Sequence, residues 1–324
     1  MSRNTPAPAR RIDAPVDTML APLVTAIVPV YNGERFLAQA LDSALAQTMR
    51  DLEIVVVDDG STDGSGVLAA EYASRYPGIV RVHRQPNGGL CFARNTALKI
   101  ARGEYFALLD ADDIWLPHHL EESVAVLQRR SRVALVHADI ERIDTDGNSL
   151  GCATRYWDGL HDDPFRVLFL RHEHVCCPTA VFRRSVIEAA GNFDPQFNRM
   201  GCEDRDLWLR IALIADISYI GNVHARYRLH GANMSSNYGK MLQARMRLVD
   251  KFGATPHGRA LRRQALAAAH CNLGDELMDA ARRRDAFAAY ARAFAVRPIE
   301  SKALRGMLRS LLKPQPPVRP PVNQ

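Results

Sequence analysis

No stretch of the chain approaches the ~18 uninterrupted apolar residues that a membrane-spanning helix requires. The first 22 residues carry Pro6, Pro8, Pro15 and Pro22 with Arg3, Arg10 and Arg11, but no apolar core between charge and a cleavage site. They read as a disordered lead-in and not as a secretion signal. The six cysteines (Cys91, Cys152, Cys176, Cys177, Cys202, Cys271) include no C-x-x-C pair, and adjacent Cys176-Cys177 is a poor zinc pattern. Reduced thiols in a cytoplasmic setting are therefore expected. Two nucleotide signatures are also missing. Where a dinucleotide fold carries G-x-G-x-x-G after its first strand, Pro29-Val-Tyr-Asn-Gly33 stands instead, and G-x-x-x-x-G-K-S/T occurs nowhere. Any phosphate the chain binds has to be held by other means.

The chain has 324 residues, 47% of them apolar, which suits a soluble catalytic core with a smaller accessory region. Its net charge of +6 is unevenly spread. Residues 240–324 hold 17 Lys/Arg against 6 Asp/Glu, a net +11, which leaves −5 for the remainder. An acidic front and a basic rear point to different partners.

The front alternates strand and helix. Val24–Val30 reads as a buried strand, Phe36–Leu45 has helical apolar spacing, and Leu52–Asp58 is a second strand. The turn Asp59-Gly-Ser-Thr-Asp63 precedes a helix running to Tyr76, with Ser61 or Asp63 as its cap. Ile79–His83, a helix from Cys91 to Ala101, the strand Tyr105–Leu109 and the strand Val133–His137 follow, with a turn at Asp144–Gly147. Short turns between alternating elements predict a mainly parallel, doubly wound α/β sheet. The segment from Gly151 to Tyr238 is less regular: helices are expected at Phe182–Gly191 and Glu203–Ala212, strands at Ile217–Ile220 and Ala225–Leu229. Beyond Lys240 the pattern is helical. Leu273-Gly274, Leu277, Ala286, Tyr290, Ala293 and Pro298 fall on the spacing of one tetratricopeptide-like hairpin of ~34 residues. Ala303, Leu304, Met307, Leu308, Leu311 and Leu312 then form one stripe beside Lys302, Arg305, Arg309 and Lys313. Such a helix either lies on an anionic membrane or docks its stripe on the preceding helices.

The chemistry concentrates after Leu109. Open α/β sheets bind ligands at the carboxyl ends of their strands, and there Asp110-Ala-Asp-Asp113 follows a buried strand. On an extended chain, carboxylates two residues apart face the same side. Asp110 and Asp112 can then converge on a hard cation, Mg²⁺ or Mn²⁺, which prefers oxygen ligands and bridges to phosphates. Read alone, the acidic triplet also fits a helix-start cap.

Several stretches together resemble the inverting family 2 glycosyltransferases of the GT-A fold. They are Ile27-Val-Pro-Val-Tyr-Asn32, Val56-Val-Asp-Asp-Gly-Ser-Thr-Asp63, Ala93-Arg-Asn95, Gly103-Glu-Tyr105 with Leu109-Asp-Ala-Asp-Asp113, Gly191-Asn-Phe-Asp194, Glu203-Asp204 and Tyr227-Arg-Leu-His230. The resemblance covers roughly residues 24–235. It implies a nucleoside diphosphate sugar donor, with UDP the expected base, and a divalent cation. Pro29 and Tyr31 would frame the nucleobase and Asp59 would hydrogen-bond it. Arg94 would lie near the diphosphate or the base, and Asp110 and Ala111 at the donor, with Asp110 reaching ribose or metal. Asp112 would be the main metal ligand, with His230 able to reach it; Asp113 would cap a helix or orient a neighbour. Asp204 would be the catalytic base, with Glu203 orienting it or meeting the acceptor. Asp206 competes for the base role if the local chain is extended. For Trp115, Trp157 and Trp208 core packing is the default, and Asp194 reads as a turn residue.

These readings divide the chain into a lead-in (1–22), a GT-A transferase domain (23–238), a helical region (239–313) and a disordered tail (314–324). The expected acceptor is a hydroxyl of a glycan or lipid-linked saccharide at the inner face of the membrane, with peripheral contact through the basic rear helices. Nucleic acid is not an expected partner. Two rivals remain: an inert sugar-nucleotide-binding scaffold, and a nucleotidyltransferase. The second wants a glycine-rich basic loop where Val30-Tyr-Asn-Gly-Glu34 stands.

Overall fold

The computed structural model describes residues 21–153, 163–170, 175–231, 233–234 and 237–312. The lead-in, Trp157 and the tail lie outside them. The first half follows the alternating pattern closely: β1 (Val24–Val30), α1 (Glu34–Leu45), β2 (Leu52–Asp58), α2 (Ser65–Arg75), β3 (Val80–Arg84), α3 (Leu90–Ile100) and β4 (Tyr105–Leu108). β1, β2 and β4 are buried over their whole lengths, which is why they read as continuous apolar runs. A short β5 (Ile114–Trp115), α4 (His119–Arg129), β6 (Val133–Ile143), β7 (Ser149–Ala153), α5 (Pro164–Leu170), β8 (Val181–Arg183), α6 (Arg184–Ala190), α7 (Glu203–Ala212) and β9 (Asp216–Arg228) complete the sheet and its covering helices.

The sheet order is β3-β2-β1-β4-β8-β6-β9-β5, with β7 beside β6. The parallel expectation holds for β3-β2-β1-β4. Past β4 the sheet is mixed: β8 runs antiparallel to both β4 and β6, and β9 is parallel to β6. The chain leaves β1 toward β2 on one side and returns as β4 on the other. That makes a topological switch point, with a crevice at the carboxyl ends of β1 and β4. One apolar cluster lies on each face of the sheet.

Several boundaries depart from the sequence pattern. β6 continues six residues past His137, because pairing with β9 satisfies a backbone whose side chains are no longer uniformly apolar. The two strands expected at 217–229 are one strand, whose register against β6 skips Gly221 and Asn222. β8 takes the first two residues assigned to the 182–191 helix; three residues are too few to show a period.

The rear is helical, with α8 (Tyr238–Gly253), α9 (Pro256–Arg259), α10 (Arg262–Asp279), α11 (Arg283–Val296) and α12 (Ser301–Leu311). Ala244, Leu248, Val249 and Phe252 of α8 join the same core as Phe165 and Trp208, so this region is seated on the α/β sheet domain. α10 and α11 form a helical hairpin around Tyr290. α12 docks with its small residues: Ala303, Gly306 and Ser310 are buried, and a Cβ at Gly306 would collide with the Tyr290 ring. Arg283 closes its end on the Ser310 and Arg309 carbonyls, at 3.2 and 2.8 Å. The large apolar side chains therefore face outward. Leu304, Leu308, Leu311 and Leu312 are 49%, 57%, 70% and 67% exposed, so of the two alternatives for this stripe, docking of the whole of it on the preceding helices does not occur. No helix among the described residues is long and apolar enough to cross a membrane.

Candidate functional site

A cavity of about 1670 Å³ opens at the switch point. All ten residues singled out from the sequence line it: Pro29, Tyr31, Asp59, Arg94, Asp110, Ala111, Asp112, Glu203, Asp204 and His230. They come from six separate segments, so the fold alone brings them together.

At the end of β1, Tyr31 is 53% exposed at the cavity and not a core aromatic. Asn32 follows in the left-handed region, with φ 52°. Asp58 and Asp59 end β2 and divide their work. Asp58 accepts the Ser61 N–H at 2.8 Å and shapes the turn. Asp59 accepts from Gln85 Nε2 (2.7 Å) and from the Gly88 and Gly89 N–H groups (2.9 and 2.7 Å). Three of its about four acceptor positions thus hold the 85–89 loop. Gly89, at φ 96°, turns that loop into α3, and Asn198 packs so closely that a Cβ would collide with it. Asp63 accepts the Ser65 N–H as α2 starts, whereas Ser61 does not cap that helix.

α3 carries Arg94, which is 1% exposed. It was expected near the diphosphate or the base; it is a buried bridge. Nη1 donates to Glu203 Oε1 and Nη2 to Asp110 Oδ1, both at 2.7 Å, and Nη2 also meets Cys177 Sγ at 3.1 Å. Burial opposes the charge of Arg94, but the Asp110 and Glu203 carboxylates outweigh it and keep the guanidinium protonated.

The Asp110–Asp113 segment is not extended. It turns, with Asp113 N–H donating to the Asp110 carbonyl at 3.1 Å. The same-side argument for Asp110 and Asp112 therefore fails in detail: Asp110 points to Arg94, while Asp112 Oδ2 meets His230 Nε2 at 2.8 Å. Burial, then the like charge of Asp110, raise the Asp112 pKa. Asp113 caps no helix. It is 1% exposed and accepts the Arg228 N–H at 2.9 Å, and burial pushes its carboxyl well up.

Whether a divalent cation fits is decided by this donor set. Among the described residues no three His, Cys, Asp or Glu side chains assemble into a complete cage. Asp112 and His230 are adjacent, with Asp110 close enough to act on Asp112 electrostatically. A partial shell of oxygen and imidazole in a carboxylate-rich wall fits a cation that completes its coordination with phosphate oxygens.

On the opposite wall, Gly201 (φ 88°) and Cys202 (φ 63°) enter α7 through left-handed backbone, strain of a kind found at functional sites. Glu203 turns to Arg94. Asp204 accepts the Arg205 N–H at 2.6 Å. Burial, then the charge of Glu203, push the Asp204 pKa up to about 7. Asp206 was a competitor only for an extended chain. The segment is helical, and Asp206, fully buried, pairs with Arg210 (2.8 Å) and Lys251 (2.6 Å). Trp115 and Trp208 are core residues, and Asp194 caps the turn at Pro195–Phe197.

The sequence reading assigned no role to Arg228 or Cys177. Arg228 is fully buried and braces the acidic turn, reaching the Asp112 carbonyl (2.9 Å), the Asp144 carbonyl (3.1 Å) and Gln39 Oε1 (2.7 Å). Its place inside Tyr227-Arg-Leu-His230 was the available signal. Cys177 had none, because its contact with Arg94 joins residues 83 positions apart.

The chain is similar to known glycosyltransferases. The profile described as glycosyl transferase family 2 matches residues 25–191. An uncharacterized glycosyltransferase of Nostoc sp. is 33% identical over 219 residues, covering 65% of this chain and 66% of that protein. One from Rickettsia prowazekii is 31% identical over 220 residues, 67% of each chain. The chain thus spans about two thirds of the length of these relatives. Among solved structures, a Pyrobaculum calidifontis mannosyltransferase in complex with GDP-Man and Mn²⁺ superimposes with a TM-score of 0.62 at 22% identity, covering 91% of this chain and 82% of that one. Residues 1–349 of S. aureus TarS in complex with UDP-GlcNAc give 0.60 at 19% identity, covering 89% and 79%.

Removing Arg94 leaves Asp110 and Glu203 facing each other's environment without their shared cation. Arg94→Met is expected to cost about 3–5 kcal/mol of stability, as for a broken buried ion pair, read as a fall in the urea midpoint. A midpoint unchanged within error would show that the bridge does not hold the site together.

Proposed function

The chain belongs to glycosyl transferase family 2, and from that membership we propose that it moves a sugar from a nucleoside diphosphate donor, with UDP the first candidate base, to a hydroxyl of a glycan or lipid-linked acceptor by a single inverting displacement. One observation carries the reading: Pro29, Tyr31 and Asp59, the acidic pair Asp110 and Asp112, and Asp204, a carboxylate of raised pKa, share one cavity.

In this reading Pro29 and Tyr31 hold the nucleobase, and Asp59 adds a hydrogen bond through its remaining acceptor position. Asp112 and His230 would hold a divalent cation, Mg²⁺ or Mn²⁺, with Asp110 beside them. When bound, that cation offsets negative charge on the departing diphosphate. Asp204 takes the proton of the acceptor hydroxyl as its oxygen bonds to the anomeric carbon. The bond from that carbon to the diphosphate oxygen breaks on the opposite face, and the electron pair leaves with the diphosphate. Burial, together with the charge of Glu203 that Arg94 fixes beside it, keeps the Asp204 carboxyl basic enough to accept a proton near neutral pH.

We assign residues 23–238 to this chemistry and residues 239–313, with their tetratricopeptide-like spacing, to presentation at the cytoplasmic face of a membrane. Support comes from the outward leucines of α12 beside Arg305 and from the net +11 of residues 240–324.

Calorimetric titration of UDP and GDP in the presence of Mn²⁺ should show binding of one nucleotide, abolished by EDTA and by Asp112→Ala. Equal binding in the variant would remove Asp112 from the site. For Asp204 the sign is fixed by the chemistry, since only the ionised carboxylate accepts a proton. The value of kcat/KM should rise about tenfold per pH unit below about 7 and level off above it, and Asp204→Asn should cost about 10²–10⁴-fold in rate. A flat profile through pH 7 would assign the base elsewhere. Leu308→Glu with Leu311→Glu should abolish co-sedimentation with vesicles containing anionic phosphatidylglycerol; unchanged partitioning would end the membrane assignment.

A further inference from the structure

Beyond Asp204 the cavity wall changes sign. Asp59, Asp110, Asp112, Glu203 and Asp204 lie toward the ends of β1, β2 and β4 and the start of α7, with Arg94 between them. Past Glu203 and Asp204, the wall made by α7, α8, α10 and the start of α11 carries Arg205, Lys240, Arg245 and Arg282, against the single acid Glu276. Two of these cations are nearly fully buried: Arg205 is 8% exposed and Arg245 4%.

Arg245 pairs with Glu276. Arg205 has no such partner. Its Nε donates to the Leu168 carbonyl at 2.9 Å and its Nη2 to the Leu168 and Phe169 carbonyls at the end of α5, and no carboxylate reaches it among the described residues. Arg205 Nη1, Arg245 Nε and Nη1, and the Trp208 indole N–H are buried without a hydrogen-bond partner. Burial, then the like charge of Arg245, lower the Arg205 pKa to about 9, so the two guanidinium groups repel each other across this wall. A buried cation without a counter-charge is costly, and planar guanidinium groups match phosphate and carboxylate oxygens. The fold keeps two such groups one residue and one helix away from the proposed base, in a chain whose donor diphosphate is provided for on the other wall.

We propose that the wall formed by Arg205, Arg245, Lys240 and Arg282 is an acceptor subsite for an anionic group, a phosphate or a carboxylate, carried by the acceptor close to the hydroxyl that attacks. This rests on the glycosyltransferase reading of the same cavity and narrows it: the acceptor is a charged glycan or a phosphate-bearing saccharide and not a neutral sugar. Lys240 and Arg282 guide the anion from the rim, and Arg205 and Arg245 fix it at the depth of Asp204.

The test fills the donor site first. With UDP or GDP, whichever binds, and Mn²⁺ at saturation, methyl phosphate and acetate are titrated in separate calorimetric arms, with glycerol as the neutral control. Saturable methyl phosphate binding, weakened at least about tenfold in Arg205→Gln and in Arg245→Gln, is expected, with the nucleotide affinity of each variant unchanged as proof of folding. Tighter acetate than methyl phosphate binding with the same variant dependence supports the subsite and identifies a carboxylate acceptor. If the buried variants do not fold, Lys240→Ala/Arg282→Ala, two rim changes, should still weaken the anion by about two- to threefold; unchanged affinity there overturns the proposal. Normal nucleotide binding with anion titrations that are non-saturable, or the same in every variant, overturns the subsite alone. Methyl phosphate binding only when nucleotide is omitted assigns the anion to the donor site and overturns it too. Failure of the wild type to bind any nucleotide sinks the donor reading itself.

Discussion

A single buried guanidinium sets the geometry on which the cavity depends. Arg94 has almost no exposure, yet its two terminal nitrogens reach Asp110 on the strand-end wall and Glu203 on the α7 wall. Without it, two carboxylates in a low-dielectric setting would repel, and the cost of burying either would be unmet. With it, the acidic turn after β4 and the start of α7 are held at a fixed separation. α3, which carries Arg94, is aimed by Gly89 and the Asn198 packing at its start. A backbone constraint at one glycine thereby reaches the spacing of the two walls.

The sheet supplies the frame. Parallel β3-β2-β1-β4 ends in a switch point, and the acidic turn sits where that crevice opens. The antiparallel insertion of β8 and the long β6–β9 pair then bring His230 and Arg228 around to the same turn. Arg228 braces it through backbone carbonyls, which leaves the Asp112 carboxylate for His230 and for the cation assigned to it in the proposed function.

The helical rear is attached by two different kinds of packing. α8 contributes large apolar side chains to the main core and carries Arg245 to the cavity wall. α12 seats Ala303, Gly306 and Ser310 against its neighbours, with Arg309 donating to the Tyr290 hydroxyl, and its leucines are left outward. Small residues permit close approach between helices, and the large ones are then free for another surface. Residues 240–324 carry a net +11, and Lys240 and Arg245 of α8 bring part of that charge to the cavity wall.

The sequence by itself determined the elements whose apolar runs are buried on both faces, such as β1 and β2, because continuous burial demands continuous hydrophobicity. It also marked candidate-site residues in short motifs near strand ends or a helix start, such as Asp59, Asp110, Asp112 and Asp204, though not Arg228, whose motif was read without a role for it. Only the tertiary structure decided what those side chains meet. Arg94 is separated from Glu203 by 109 residues and Asp112 from His230 by 118, and no local period encodes a contact at such a distance. The extended geometry assumed for Asp110 and Asp112 gave way to a turn, and β8, β5 and the upper half of β6 formed because neighbouring strands needed partners. For α12 the sequence supplied a single stripe and left its orientation open. The burial of Gly306 against Tyr290 settled it, because the closest packing excludes the largest side chains.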